Sequence, residues 1–218
     1  MNIKKIISPL RTAVIFAVVM FVLCGLVYPL VMTGLGQLFF HSQANGSIIY
    51  ADGKAVGSSL IGQDFTDPRF MKCRPSAVNY NTYTDTQKAD GTYAGIRTGS
   101  DNYAPSNPKL AARVEADIEK FLAANPAVKK ENIPADLLTA SGSGLDPHIS
   151  PESAAVQIPA LAVNTGLSEQ DLQQIVKNNT KGKFLGIFGE KTVNVLGVNL
   201  EIAKELNILG KAEKQGEF

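Results

Sequence analysis

The stretch TAVIFAVVMFVLCGLVYPLVMTGLGQLFF, residues 12–40, decides the architecture of this chain, because its 29 residues carry no charge and 22 of them are apolar. About 20 apolar residues suffice to cross a bilayer core as a helix. We therefore predict a transmembrane helix over residues 12–36. A secretory signal peptide is the alternative, and Ser42-Gln43-Ala44 resembles a cleavage site, but a signal h-region of about 7–15 residues is much shorter than this run.

Positive charges lie on one side of this run. Lys4, Lys5 and Arg11 precede it within the short segment 1–11, which holds no acidic residue. Positively charged flanks favour the cytoplasmic side of a membrane. We expect a cytoplasmic N-terminus, a single span, and a main domain of residues 41–218 that faces away from the cytoplasm.

Three residues inside the run bear on helix packing. Pro29 breaks a helix in water but is tolerated in lipid, where we expect it to kink the span. Gly25 and Gly34 offer small surfaces that let a second helix approach closely. They are equally compatible with a lone anchor.

Composition excludes several function classes. From residue 41 onward the chain has 18 basic and 20 acidic residues, so it lacks the basic excess that nucleic-acid binding requires. With two Cys and two His in the whole chain, a four-ligand zinc site would need every one of them, and Cys24 lies inside the apolar run. We predict no nucleic-acid partner and no bound metal, and we expect Cys73 to be buried.

The remainder of the chain is predicted to be one α+β domain. Asp52-Gly53 between two short apolar runs indicates a β-hairpin over residues 47–57. Helices are predicted from Pro108 to about residue 124, from Ser150 with an interruption at Pro159, and from Ser168. Strands are expected over residues 184–188 and 192–198, followed by a closing helix over residues 200–209.

A long polar segment, residues 79–107, separates these elements. It contains Tyr80, Tyr83, Tyr93 and Tyr103 among the six tyrosines of the chain. Long stretches without regular structure are usually functional or mobile. Partner contact and a mobile loop both remain open.

One loop contains residues with hydrolytic potential. Ser141 or Ser143 could act as a nucleophile with His148 as base and Asp146 beside it. A nucleophile elbow, however, needs glycine two residues away on both sides, and Ser143 has Ser141 and Leu145 there. Residues 138–151 are better explained as a structural loop, and an anchored hydrolase stays a minor alternative. The phosphate-binding G-x-x-x-x-G-K-[ST] pattern is absent as well.

Several short motifs in a fixed order make a specific resemblance. They are Tyr28-Pro29-Leu30, Leu60-Ile61-Gly62-Gln63, Arg74-Pro75-Ser76-Ala77, Thr139–Pro151 and Asn199-Leu200. In this order they resemble the KdpC subunits of the Kdp-type potassium-transporting ATPases over nearly the whole chain. Within Thr139–Pro151 the residues that carry the likeness are Ser141, Gly142, Ser143, Gly144, Asp146, Pro147 and His148.

The resemblance implies an accessory, non-catalytic subunit of an ATP-driven potassium uptake complex in a bacterial cell (inner) membrane. Its partners would be a channel-like potassium-binding subunit and a P-type ATPase subunit, with potassium as the transported ion of the complex. The family is also described as raising the ATP affinity of the pump subunit, so ATP is a candidate ligand in the complex although none is expected to bind firmly to this chain. The family motif residues from Arg74 to Ser76 and from Ser141 to His148 are then structural or partner contacts.

Gln157 is the one candidate for direct nucleotide contact, since its amide could hydrogen-bond an adenine edge. A glutamine on a helix surface with no ligand role explains this position more simply. The residues after it, Ala160, Val163 and Thr165, are uncharged where the family carries a basic face. The loop Thr98–Pro105 also departs from the family pattern. A membrane-anchored binding module unrelated to transport is the remaining alternative.

Overall fold

The computed structural model describes residues 3–92, 95–209 and 212–214, with side chains for residues 9–92 and 95–209. Tyr93 and the side chains of Lys4 and Lys5 lie outside this part. The described residues form two compact units, one of the residues up to Ser47 together with Lys214, and one spanning Ile48–Glu213.

The N-terminal unit is a long apolar helix. Helix α1 (Ile3–Val22) passes through a π-helical turn (Leu23–Val27) into α2 (Tyr28–Phe39), and a short helix α3 (His41–Ala44) follows. The 31 residues Pro9–Phe39 are long and apolar enough to cross a membrane, and none of the most hydropathic window is buried. A helix of this length and hydropathy suits a lipid environment.

The predicted disturbance at Pro29 takes the form of that π-helical turn. Proline has no N–H to donate, and its ring crowds the carbonyl four residues earlier, which is Gly25. The Tyr28 N–H bonds to the Leu23 carbonyl instead, five residues back. The helix thus absorbs the proline by a local change of hydrogen-bond register. A Cβ added at Gly25 would meet only the Phe21 ring, at 3.7 Å, and one added at Gly34 would meet nothing within 4 Å.

The domain mixes short strands and helices, as the α+β prediction requires. Its strands are β1 (Ile48–Ala51), β2 (Lys54–Ser58), β3 (His148–Ile149), β4 (Thr180–Lys181), β5 (Thr192–Asn194) and β6 (Ala212–Lys214). Its helices are α4 (Asp85–Ala89), α5 (Pro108–Ala124), α6 (Pro151–Ala155), α7 (Ile158–Thr165), α8 (Glu169–Asn178) and α9 (Val195–Glu205). Single 3-10 turns lie at Asn79–Asn81, Lys130–Asn132 and Ala135–Leu137.

Two small sheets organise the strands. One has the order β2-β1-β6 and the other β3-β5-β4, with both pairs of the second sheet antiparallel. The predicted hairpin is confirmed, because β1 pairs antiparallel with β2 and the turn residues Asp52 and Gly53 have φ of 49° and 73°. These two positive φ angles are what a type I′ turn requires.

The hydrophobic core lies between the second sheet and helices α6 to α9. Its buried members include Ile149, Leu161, Leu172, Val193 and Ile202. The predicted helix starts are confirmed at Asn107, Ser150 and Ser168, whose side chains accept hydrogen bonds from the first turns of α5, α6 and α8. The predicted interruption at Pro159 is confirmed as the break between α6 and α7.

One strand prediction is wrong, and another is confirmed only over its first three residues. Residues 184–188 form a tight turn with a single bridge between Phe184 and Phe188, because Leu185 and Gly186 adopt φ of 53° and 76°, which an extended strand cannot contain. The strand expected over 192–198 stops at Asn194. The Asn194 side chain accepts from the Gly197 N–H at 2.9 Å and begins α9 at Val195, five residues before the predicted start.

Two parts of the domain are only partly buried. The apolar residues of α5, such as Val114 and Phe121, are half-buried. The Cys73 side chain is also half-buried rather than fully enclosed. The tyrosine-rich segment is not entirely irregular either, since it includes the turn Asn79–Asn81 and α4.

Two buried side-chain amides fix the extended segment Met71–Lys72 within the domain. Asn199 of α9 accepts from the Met71 N–H at 2.7 Å and donates to the Met71 carbonyl at 2.9 Å. Gln157, between α6 and α7, accepts from the Lys72 N–H at 2.8 Å and donates to the Lys72 carbonyl at 3.2 Å. We call this pair of side chains the amide clamp. The side-chain amides bond to the backbone N–H and carbonyl groups of the segment, in place of the backbone groups that a neighbouring strand would supply.

Removal of one half of the clamp should destabilise the domain. Asn199→Ala leaves the Met71 N–H and carbonyl without partners in a buried site, which we expect to lower the free energy of unfolding by roughly 2–4 kcal/mol. Asn164→Ala is the matched control, since Asn164 is an exposed helical asparagine that bonds only to Ala160 of its own helix. Thermal unfolding of the detergent-solubilised chain, followed by circular dichroism, measures both. Equal melting temperatures for the two variants would contradict a structural role of the clamp.

Candidate functional site

Four separate segments meet beside the second sheet, and they include most of the predicted site residues. They are residues 60–63, 74–80, 98–99 and 141–148, which we call the loop junction. Backbone bonds join them: the Gly62 N–H donates to the Leu145 carbonyl at 2.8 Å, and the Gly99 N–H donates to the Ser143 carbonyl at 2.7 Å. The motifs that are far apart in the sequence therefore belong to one place in the fold.

Asp146 is the electrostatic centre of the loop junction. Its Oδ2 lies 3.3 Å from Nη1 of Arg74, and its Oδ1 accepts from the His148 N–H at 3.0 Å with the His148 Nδ1 at 3.5 Å. The hydrogen bond with the His148 side chain, together with the charge of Arg74, holds the pKa of Asp146 below its ordinary value. Arg74 also reaches the Thr139 carbonyl through Nε at 3.4 Å. Arg74 therefore ties the segment that follows the amide clamp to Thr139 and Asp146. Both lie in the family-motif segment Thr139–Pro151, which we call the motif loop.

The serines of the motif loop act as local caps. The Ser141 hydroxyl accepts from the Gly144 N–H at 2.9 Å, and the Ser143 hydroxyl accepts from the Leu145 N–H at 3.1 Å. The His148 ring contacts the Asp146 carboxylate rather than either serine hydroxyl. These contacts match the prediction of a structural loop.

Ser76 joins the two halves of the loop junction. Its hydroxyl donates to the Gly144 carbonyl at 2.6 Å and accepts from the Tyr80 N–H at 3.0 Å. Pro75 beside it is half-buried, Pro147 is buried, and the Pro147 carbonyl accepts from the Val195 N–H at 2.9 Å. Hence α9, which carries Asn199 of the amide clamp, also holds the end of the motif loop.

Two glycines permit the close approach of these segments. A Cβ at Gly62 would lie 2.6 Å from the Asp146 carbonyl oxygen and 2.7 Å from Cε1 of Tyr80. Gly144 has φ of 67°, and a Cβ there would lie 2.7 Å from the Gly99 carbonyl oxygen. Gly142 differs, since a Cβ there meets nothing within 4 Å.

Tyr80 in the loop junction and Cys73 directly before it are titratable groups whose pKa is shifted by burial. Tyr80 adopts φ of 49° and its hydroxyl donates to the Arg74 carbonyl at 2.6 Å. Burial raises the pKa of Cys73 to about 11, and it also raises that of Tyr80 above its ordinary value. Both groups stay protonated at neutral pH, so the thiol here is a poor nucleophile.

Gln157 is not a surface residue, which corrects one sequence-based expectation. Its side chain is 3% exposed, and besides Lys72 it donates to the Ser153 carbonyl at 3.1 Å. Its whole amide is used inside the domain. Within the described residues, no group of three or more His, Cys, Asp or Glu is arranged to hold a metal ion.

The outer side of the loop junction carries exposed apolar residues. Leu60 and Ile61, next to Gly62, are 58% and 48% exposed. Ile96 is also exposed, and its neighbour Arg97 is tied to the Asn81 side chain at 3.1 Å. A rigid, hydrogen-bonded loop cluster that shows apolar side chains to the outside is suited to binding another protein.

A family model for the K+-transporting ATPase c chain matches residues 10–204, which covers both the apolar helix and the loop junction. The chain belongs to the KdpC family. The resemblance that the motifs indicate is thereby confirmed.

Relatives named potassium-transporting ATPase KdpC subunit support the same assignment along most of their length. The protein from Clostridium kluyveri is 66% identical over 193 residues, 88% of this chain and 92% of the relative. That from Clostridioides difficile is 56% identical over 205 residues, 92% and 99% of the two chains. The protein from Caldanaerobacter subterraneus is 50% identical over 197 residues, 90% and 95%.

Three contributors to the amide clamp and the loop junction were not assigned a role from the sequence. They are Asn199, Gly62 and Tyr80. An asparagine between apolar residues, directly before the predicted closing helix, is a detectable signal, since a buried amide needs partners. Nothing in the local sequence indicates that Tyr80 adopts a positive φ or that Gly62 touches residue 146.

We expect Gly62→Ala to disrupt the loop junction. The added methyl group collides with backbone and a held ring, so the free energy of unfolding should fall by roughly 1–3 kcal/mol. Gly142→Ala, in open space on the same motif loop, should stay within about 0.5 kcal/mol of the unmodified chain. Thermal unfolding in detergent distinguishes them. A fully tolerated Gly62→Ala would show that the segments can separate without cost.

Proposed function

We propose that this chain is an accessory, non-catalytic, single-pass subunit that holds together the channel-like and P-type ATPase subunits of a potassium uptake complex. The observation that carries the proposal is the loop junction, which builds the KdpC-family motifs into a rigid surface with exposed Leu60 and Ile61. The relatives named KdpC subunit of a potassium-transporting ATPase support the transported ion. The apolar helix Pro9–Phe39 supplies the proposed anchor.

The topology follows from charge. Lys4, Lys5 and Arg11 precede the helix without any acidic residue, which favours a cytoplasmic N-terminus and a domain on the outer face of the bacterial cell membrane. Along the apolar helix, a Cβ at Gly34 would meet nothing within 4 Å, and one at Gly25 would meet only the Phe21 ring at an ordinary contact distance. We propose that helices of the partner subunits pack there, because glycines let backbones approach closely.

The proposed domain and the site of ATP hydrolysis lie on opposite sides of the membrane. An increase in the ATP affinity of the pump subunit is then an indirect effect. It arises because this chain binds one conformation of the pump subunit better than another. The occupied amide of Gln157 supports this mechanism over a direct contact with adenine, since all of its hydrogen bonds would have to break first.

Cysteine labelling tests the topology. With Cys24 and Cys73 replaced by alanine, we expect Val163→Cys, an exposed position of α7, to react with a membrane-impermeant maleimide added to intact protoplasts. Lys5→Cys should react only after the membrane is opened. If the two positions behave in the reverse way, the domain is cytoplasmic and the proposed arrangement is wrong.

Substitution on the outer side of the loop junction tests the partner contact. Leu60→Glu with Ile61→Glu places two carboxylates where we expect apolar contact, so partner binding should weaken by at least about tenfold, or 1.4 kcal/mol. Val163→Glu is the control, because it adds the same kind of charge at an exposed apolar residue outside the loop junction. The readout is the yield of partner subunits that co-purify in detergent. An unchanged yield with the double variant would remove the loop junction from the interface.

A further inference from the structure

A single turn exposes four large apolar side chains. Phe184, Leu185, Ile187 and Phe188 are each 62–74% exposed, and they lie within five consecutive residues. Proteins that meet only water rarely leave such a contiguous apolar patch uncovered. We call residues 184–188 the apolar turn.

The backbone of the apolar turn is largely satisfied by its own hydrogen bonds. The Phe184 N–H donates to the Phe188 carbonyl at 2.8 Å, and the Phe188 N–H donates to the Phe184 carbonyl at 3.0 Å. The Gly186 N–H reaches the Lys183 carbonyl at 3.1 Å. Transfer of an unpaired backbone group from water into lipid costs free energy. This cost is small for the apolar turn, because most of its N–H groups already have partners.

Positive charges flank the apolar turn on both sides. Lys181 and Lys183 precede it and Lys191 follows it, while residues 184–189 carry no charge. Glu190 is the acidic residue at its base, and it pairs with Lys183 at 3.3 Å. An apolar tip between lysines matches a bilayer surface, where apolar side chains enter the acyl region and ammonium groups meet anionic phosphates.

The chain keeps its domain close to lipid if the proposed anchor spans the membrane. Nine residue steps separate Phe39, the end of the apolar helix, from Ile48, the start of the domain. A fully extended linker of this length reaches only about 30 Å. We propose that the apolar turn inserts into the surface of an anionic bilayer, an inference that rests on the proposed single-pass anchor.

Fluorescence quenching in vesicles tests the insertion, since the chain has no tryptophan of its own. Three full-length variants, Phe188→Trp, Val163→Trp and Phe16→Trp, are reconstituted in vesicles of phosphatidylglycerol and phosphatidylcholine with acyl chains brominated near the headgroup. Phe188→Trp reports on the apolar turn, Val163→Trp on an exposed apolar position of α7, and Phe16→Trp on the anchor. Circular dichroism verifies that each variant is folded.

We expect strong quenching of Phe16→Trp, and quenching of Phe188→Trp several-fold greater than that of Val163→Trp. If Phe16→Trp is quenched but Phe188→Trp matches Val163→Trp, the insertion is refuted while the anchor stands. If Phe16→Trp is not quenched, the anchor and the inference that depends on it both fail.

Two further variants test the chemistry of the contact. Lys181→Gln with Lys191→Gln, in the Phe188→Trp chain, should reduce the gain in quenching that phosphatidylglycerol gives over pure phosphatidylcholine, and no reduction contradicts the role of the lysines. Leu185→Glu with Ile187→Glu should abolish the quenching but leave the co-purification of partner subunits in detergent unchanged. Loss of the partner subunits would assign the apolar turn to a protein interface and overturn the lipid contact.

Discussion

The backbone of Met71 and Lys72 runs through the domain between two side-chain amides, and the position of the loop junction depends on that pairing. Asn199 and Gln157 each offer one donor and one acceptor to one residue of the segment. Because buried peptide groups must find partners, a loop that crosses helices needs such groups on the helix surfaces. The clamp thereby fixes where the segment leaves the core, directly before Cys73 and Arg74.

From there the loop junction follows by short steps. Arg74 is placed to meet Asp146, Ser76 to meet the Gly144 carbonyl, and Tyr80 to close over Gly62. The site is therefore made of loops, but each loop is tied to another through backbone groups. Such a surface keeps its shape when a partner binds, so little ordering free energy is lost on association. This rigidity suits a subunit whose proposed task is to hold others in place.

The molecule shows apolar surface to its surroundings in three separate regions, each suited to a different environment. The helix Pro9–Phe39 is long and apolar enough to suit the bilayer interior. Leu60 and Ile61 lie on the hydrogen-bonded loop junction, which suits a protein partner, whereas the apolar turn is flanked by lysines and suits a lipid surface. The groups that surround each apolar region, more than its hydrophobicity, separate the proposed roles.

The sequence by itself determined the apolar helix, the Asp52-Gly53 hairpin, the capped starts of α5, α6 and α8, and membership of the KdpC family. All of these depend on local signals: an uncharged run, a turn dipeptide, capping side chains, and motifs in a fixed order. Prediction from the sequence was wrong where a local pattern competed with the packing of the rest of the fold. Residues 184–188 have strand-forming composition but turn back on themselves, and Asn194 starts α9 inside a predicted strand. Only the tertiary structure decided that Gln157 is buried, that Asn199 pairs with a residue 128 positions away, and that Gly62 touches Asp146. Contacts between residues so distant along the chain leave no periodic trace in the sequence, because they are set by packing of whole elements rather than by neighbouring residues.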